Sequence, residues 1–158
     1  MDSKTFVYVT YIRTTPERLW QALTEPAFTE RYWGVRLESD WAEGSPLAWT
    51  QAGVTVADPE QVVLVSQPHR RLVYTWHTFT PAWAESVGLG EDVRARIAAE
   101  RRSSVAFAVE PRGEQVKLTL THDFDPAGVV HALCTEGWPP VLSSLKTLLE
   151  TGEPLPSP

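Results

Sequence analysis

A long apolar stripe near the C-terminus constrains this chain most. Val130, Leu133, Cys134, Trp138, Val141, Leu142, Leu145, Leu148 and Leu149 recur at helical spacing and share one face. Such a face requires a large apolar partner surface. Pro139 and Pro140 lack backbone N–H donors, so the stripe is expected to be kinked or split near Gly137. It keeps its phase across that point, so both halves are expected to face one interior. Gly152 then reads as the C-cap.

The partner surface is read from alternation upstream. Phe6 to Arg13 reads as a first strand, with Phe6, Tyr8, Thr10 and Ile12 on one face. Thr15-Pro16-Glu17 is a helix start: a capping threonine, a proline at the first turn and an acid at the positive dipole end. Leu19, Trp20 and Leu23 give that helix its stripe, Pro26 ends it, and Ala27 to Tyr32 reads as a second short helix. Strand patterns follow at Val35 to Glu38, Pro46 to Thr50, Gln61 to Ser66 and Leu72 to Phe79, separated by turn signals such as Ala52-Gly53 and Asp58-Pro59. Ser104 to Glu110 and Gln115 to Asp123 form a hairpin around Pro111-Arg112-Gly113-Glu114. Between Phe79 and this hairpin, Thr80 to Arg102 interrupts the meander. Its first half, with Trp83, Gly88 and Gly90, reads as loop, and Glu91 to Arg102 as a short helix. The fold class is therefore α+β: one domain over residues 1–152, a curved antiparallel sheet closed by a long C-terminal helix, and a loose tail over 153–158.

Composition excludes several functions. A chain of 158 residues is long enough for a real core, and 42% hydrophobic with 22% charged residues argues against disorder. A net charge of −6 argues against nucleic-acid binding, which needs a cationic face. Arg94, Arg96, Arg101 and Arg102 read instead as a solvated helix face or a partner contact. No apolar run suits a signal core or a membrane span, and Cys134 is the single cysteine, so a cytoplasmic location without membrane insertion is expected. There is no Gly-rich phosphate loop and no nucleophile elbow, and no cofactor is expected. His131 and Cys134 stand three apart, too few ligands for a metal site. Burial within the stripe makes Cys134 inert as a nucleophile.

The interior carries the functional question. Seven tryptophans are many for this length, and Trp33, Trp41, Trp49, Trp76, Trp83 and Trp138 are expected to contribute to one space between sheet and helix. Alternation adds Tyr74, Phe107, Leu120 and His122 from the strands, with Cys134 and Leu142 from the helix. These rings either fill a core or line an apolar pocket for a small ligand. His122 titrates near neutrality and continues an apolar face, so it is read as a core histidine, a ligand contact or, with Tyr74, an acid–base pair.

The run Tyr11-Ile12-Arg13-Thr14-Thr15-Pro16-Glu17-Arg18-Leu19-Trp20-Gln21-Ala22-Leu23-Thr24 resembles the opening signature of the SRPBCC (START-like, birch-pollen-allergen-like) superfamily, in the branch named after activators of the heat-shock protein 90 ATPase. Arg70 to Trp76, Val116 to His122 and Gly137 to Lys146 agree with it in order. The resemblance implies a helix-grip fold. Its members include lipid and hormone carriers, polyketide cyclases and chaperone cofactors, and fold alone does not choose among them. The leading expectation is a cavity binding a hydrophobic small molecule: a lipid, aromatic metabolite or polyketide-like compound. The alternatives are a cyclase- or hydrolase-type enzyme in the same cavity, or a chaperone-linked interaction module. A homodimer through Trp83, Leu89, Val93 and Ile97 of the insertion is also expected.

Overall fold

The computed structural model describes residues 4–156; the N-terminal Met1–Ser3 and the last two residues of the tail lie outside the described residues. Strand β1 (Lys4–Ile12) leads into helices α1 (Pro16–Thr24) and α2 (Pro26–Trp33). The Thr15 hydroxyl accepts from Arg18 N at 3.2 Å, and a proline opens each helix, where its missing N–H costs nothing. Strands β2 (Val35–Glu38), β3 (Ala48–Gln51) and β4 (Val54–Val56) form a small antiparallel sheet, and β5 (Val63–Gln67) and β6 (Arg71–Thr75) follow. The insertion holds α3 (Pro81–Ser86) and α4 (Glu91–Ala98). The hairpin β7 (Ser104–Arg112) and β8 (Gln115–Phe124) precedes the final helix α5 (Val130–Thr151).

The main sheet is antiparallel with order β1-β8-β7-β6-β5. Inward residues follow the alternation: Val105, Phe107 and Val109 on β7 face the interior beside Val116, Leu118, Leu120, His122 and Phe124 on β8, all buried. A bridge between Pro46 and Val62 joins the small sheet to the main one, so the curved surface is built in two pieces. With α5 laid across it, this is the α+β helix-grip arrangement.

Four details depart from the alternation and spacing. The strand expected to reach Phe79 ends at Thr75. Beyond it, Thr78 N donates to the Gln61 side chain rather than to a neighbouring strand. The segment read as loop around Trp83 is α3, capped by the Thr80 hydroxyl accepting from Trp83 N at 3.1 Å. Val54–Val56 is an additional short strand after the Ala52-Gly53 turn. Finally, α5 is not split: it runs unbroken from Val130 to Thr151 and ends on Gly152 at φ 91. Pro140 and Glu136 are exposed and Pro139 is half-buried, so Pro140 falls on the wet side, where water can serve the carbonyl it frees.

The start of α5 has an unusual cap. Val129 has no capping side chain of its own. Glu100, after α4, reaches across instead: its carboxylate accepts from Val129 N at 2.6 Å and from Val130 N at 3.3 Å. A negative group there also complements the helix dipole. Gly128 makes this possible, because a Cβ at that position would collide with the Glu100 carboxylate.

Candidate functional site

Under the N-terminal half of α5 lies an open cavity of about 180 Å³. Its floor is a cluster of indoles. Trp33, from the end of α2, packs on Trp49 of β3 at 5.2 Å and on Trp138 of α5 at 5.1 Å between ring centroids. Trp76 contacts Trp49 at 5.0 Å and Trp138 at 5.6 Å. Trp83 of α3 forms the far wall with His77 and Phe79. The roof is Val130, Cys134, Gly137 and Val141, with Leu133 at the rim, 46% exposed.

The early end of β6 explains this wall. On a continuing strand Trp76 and His77 would face opposite sides. Because the chain leaves the sheet after Thr75, Trp76, His77 and Phe79 all reach the cavity. Gln51 fixes the other rings: its Oε1 accepts from Trp49 Nε1 at 3.1 Å and from Trp83 Nε1 at 2.8 Å.

Of the residues singled out in the sequence, Trp33, Trp49, Trp76, Trp83, Cys134 and Trp138 line the cavity. Tyr74, Phe107, Leu120 and Leu142 are fully buried in the packed core beside it, outside the lining. Trp41 packs on Tyr74 at 6.1 Å and is also outside the lining. His122 sits beneath the floor. Trp138 Nε1 donates to its Nδ1 at 3.0 Å, and an indole nitrogen can only donate. The imidazole proton is therefore on Nε2, which donates to Ser103 Oγ at 2.9 Å. Both nitrogens are occupied by protein groups, the ring stacks on Phe124 at 3.9 Å, and burial pulls its pKa down to about 3. His122 is thus a neutral structural histidine, apart from any acid–base pairing with Tyr74. Burial pushes the Cys134 thiol up to about 12, which removes it as a nucleophile.

Gln51 and His77 are the lining polar groups that the sequence did not single out. Gln51 lies at the end of a short strand and carried no pattern, and His77 was hidden by the assumed alternation. Three of the four arginines of the insertion are taken up internally, and Arg96 stays on the exposed face of α4. Arg94 binds Glu91 and the Phe79 carbonyl, Arg101 the Phe124 carbonyl, and Arg102 the Trp76 carbonyl and Thr78. Trp83 and Ile97 are likewise buried in their own chain. Among the described residues, no group of three or more His, Cys, Asp or Glu is placed to hold a metal ion, and no helix is long and apolar enough to cross a membrane.

Residues 13–150 match the family described as Activator of Hsp90 ATPase homolog 1-like protein. The chain belongs to that family. No curated protein matches it in sequence. Solved structures share the fold of this Hsp90-activator-like chain. Protein MLL2253 from Mesorhizobium loti is 23% identical at a TM-score of 0.70, over 92% of this chain and 96% of that one. The Aha1 dimer from Colwellia psychrerythraea, known from its solution structure, is 20% identical at 0.67, over 94% and 98%. DynU16, a protein in the dynemicin biosynthetic locus, is 18% identical at 0.68, over 95% of this chain and 48% of that one. At these identities the likeness establishes the fold, and the family's members differ enough that function rests on the site.

Proposed function

We propose that the protein binds a small planar aromatic metabolite between α5 and the indole cluster. The observation that carries this reading is the lining itself: five tryptophans around an open cavity of about 180 Å³. A filled core leaves no such space, and indole faces favour offset or edge contacts with another ring. The volume is below the roughly 300–1,000 Å³ of drug-sized sites, which favours one or two fused rings over a lipid chain. Binding is favoured over a cyclase- or hydrolase-type reaction, because the lining histidine His77 has no acid–base partner beside it and His122 is already spent on Trp138 and Ser103. That DynU16 belongs to a biosynthetic locus is consistent with a small-molecule role for the fold. A cytoplasmic location suits the single, protonated thiol.

The test is native mass spectrometry of protein purified from its own host, with Gly137→Leu beside it. Gly137 lines the cavity and a Cβ there meets nothing within 4 Å, so a leucine has room to start there and is expected to take up cavity space. A retained adduct of small-molecule mass, lost in Gly137→Leu, supports the reading. No adduct, together with no quenching of tryptophan fluorescence by aromatic compounds, sinks it.

We also propose that two copies pair along the outer edge of β1. It is an edge strand whose Val7, Val9 and Tyr11 are 56%, 46% and 47% exposed. The Colwellia psychrerythraea protein of the same fold is a dimer. Light scattering of the wild type and Val9→Lys tests this: a dimer that Val9→Lys dissociates supports it, and a monomeric wild type refutes it.

A further inference from the structure

The two polar groups of the cavity carry opposite hydrogen-bonding roles. Gln51 Oε1 receives two indole N–H groups, from Trp49 and Trp83. Indole nitrogen cannot accept, so the amide cannot flip, and its orientation is fixed with the oxygen toward the rings. Among the described residues its NH2 group donates to no protein atom, and the side chain lines the cavity. His77 Nδ1 lies 2.9 Å from the Thr78 carbonyl, which can only accept, so Nδ1 carries the proton. Its Nε2 is then a bare acceptor without a protein partner among the described residues. Burial pulls the His77 pKa down to about 4, which keeps the ring neutral and that acceptor present at neutral pH. Donor and acceptor belong to one wall. Trp49 and Trp83 bond Gln51 and also flank the imidazole, at 4.1 and 4.7 Å between ring centroids.

We propose that the ligand is an aromatic ring bearing a hydroxyl, with its O–H donating to His77 Nε2 and its oxygen accepting from the Gln51 amide. This rests on the aromatic-ligand reading of the cavity. A hydroxyl is the smallest group that serves both partners. An ether or a bare hydrocarbon leaves His77 unserved, and an unpaired polar group in an apolar site is costly. A carboxylate sets a negative charge against the Nε2 lone pair. An ammonium sets its hydrogens against the Gln51 donors. A site built around a hydroxyl discriminates against analogues that lack it.

The experiment is calorimetric titration of the full chain with 2-naphthol, 2-methoxynaphthalene and naphthalene. The expected order places 2-naphthol about tenfold tighter than either analogue, the worth of one to two net hydrogen bonds. His77→Phe keeps the ring stack, removes the acceptor, and is expected to bring 2-naphthol down to the level of 2-methoxynaphthalene, with folding checked by thermal melting. If that variant does not fold, the ligand series on the wild type decides alone. Equal affinity for all three probes, or discrimination that survives His77→Phe, overturns the hydroxyl proposal and leaves the cavity reading standing. No binding of any probe overturns both.

Discussion

Acid exposes the two buried imidazoles. His77 and His122 are 3% and 0% exposed, and burial lowers their pKa values from 6.5 to about 4 and about 3. A depressed histidine pKa means that below about 6.5 the unfolded chain binds protons the native chain refuses. Stability is therefore complete above that value and falls as pH drops toward the folded pKa values. Each histidine contributes about 1.4 kcal/mol per pH unit inside this window, and the pair about 2.7. From about pH 6.5 to about pH 4.5 the loss is ~5 kcal/mol, comparable to the whole stability of an ordinary domain. The carboxylates Asp58, Asp125 and Glu150 have lowered pKa values, so their contributions disappear only below the usual carboxylate range of about 4. The window belongs to the histidines. His122→Phe removes one of them. It leaves Trp138 Nε1 and Ser103 Oγ without their partner, at about 1–3 kcal/mol each, so the variant is less stable at neutral pH. Its acid slope is nonetheless halved, to about 1.4 kcal/mol per unit. Urea unfolding followed by tryptophan fluorescence at a series of pH values measures both quantities. Equal slopes in the wild type and the variant refute the argument.

Three further outcomes are expected. Gly137→Ala stabilises α5 by about 0.5–1 kcal/mol, since the added methyl meets nothing within 4 Å and alanine suits a helix better; denaturant midpoints check it. Glu100→Ala and Gly128→Ala each cost about 1–2 kcal/mol by stripping the carboxylate from the start of α5, and the two costs fall well short of adding in the double variant, as double-mutant thermal melts can show. Gln51→Leu leaves two indole N–H groups unpaired and costs about 2–4 kcal/mol, while Gln51→Glu keeps an acceptor for both and costs less.

Strict alternation made β7, β8 and their hairpin legible, because one face is packed and the other wet. The stripe of α5 was legible for the same reason, and of the expected kink or split the split is absent, since the helix runs on through Pro139 and Pro140. Pro140 lies toward water, which no periodicity in apolar residues reveals. The cavity was legible in its tryptophans and hidden in its polar groups. Tyr74, Phe107, Leu120 and Leu142 do face inward, but that end of the interior is filled by packing. His77 reaches the cavity through a strand end that no local residue announces. Gln51 matters through two indoles, one of them 32 positions away. Contacts of that span are tertiary facts, and local pattern does not encode them.

An aromatic ligand that enters among five of the seven tryptophans must perturb their indole N–H signals. In an amide–indole correlation spectrum titrated with 2-naphthol, Trp33, Trp49, Trp76, Trp83 and Trp138 line the cavity and are predicted to shift together. Trp20 and Trp41 lie outside it and are predicted to stay in place. Shifts centred on Trp20 or Trp41, or none at saturating ligand, would contradict the account.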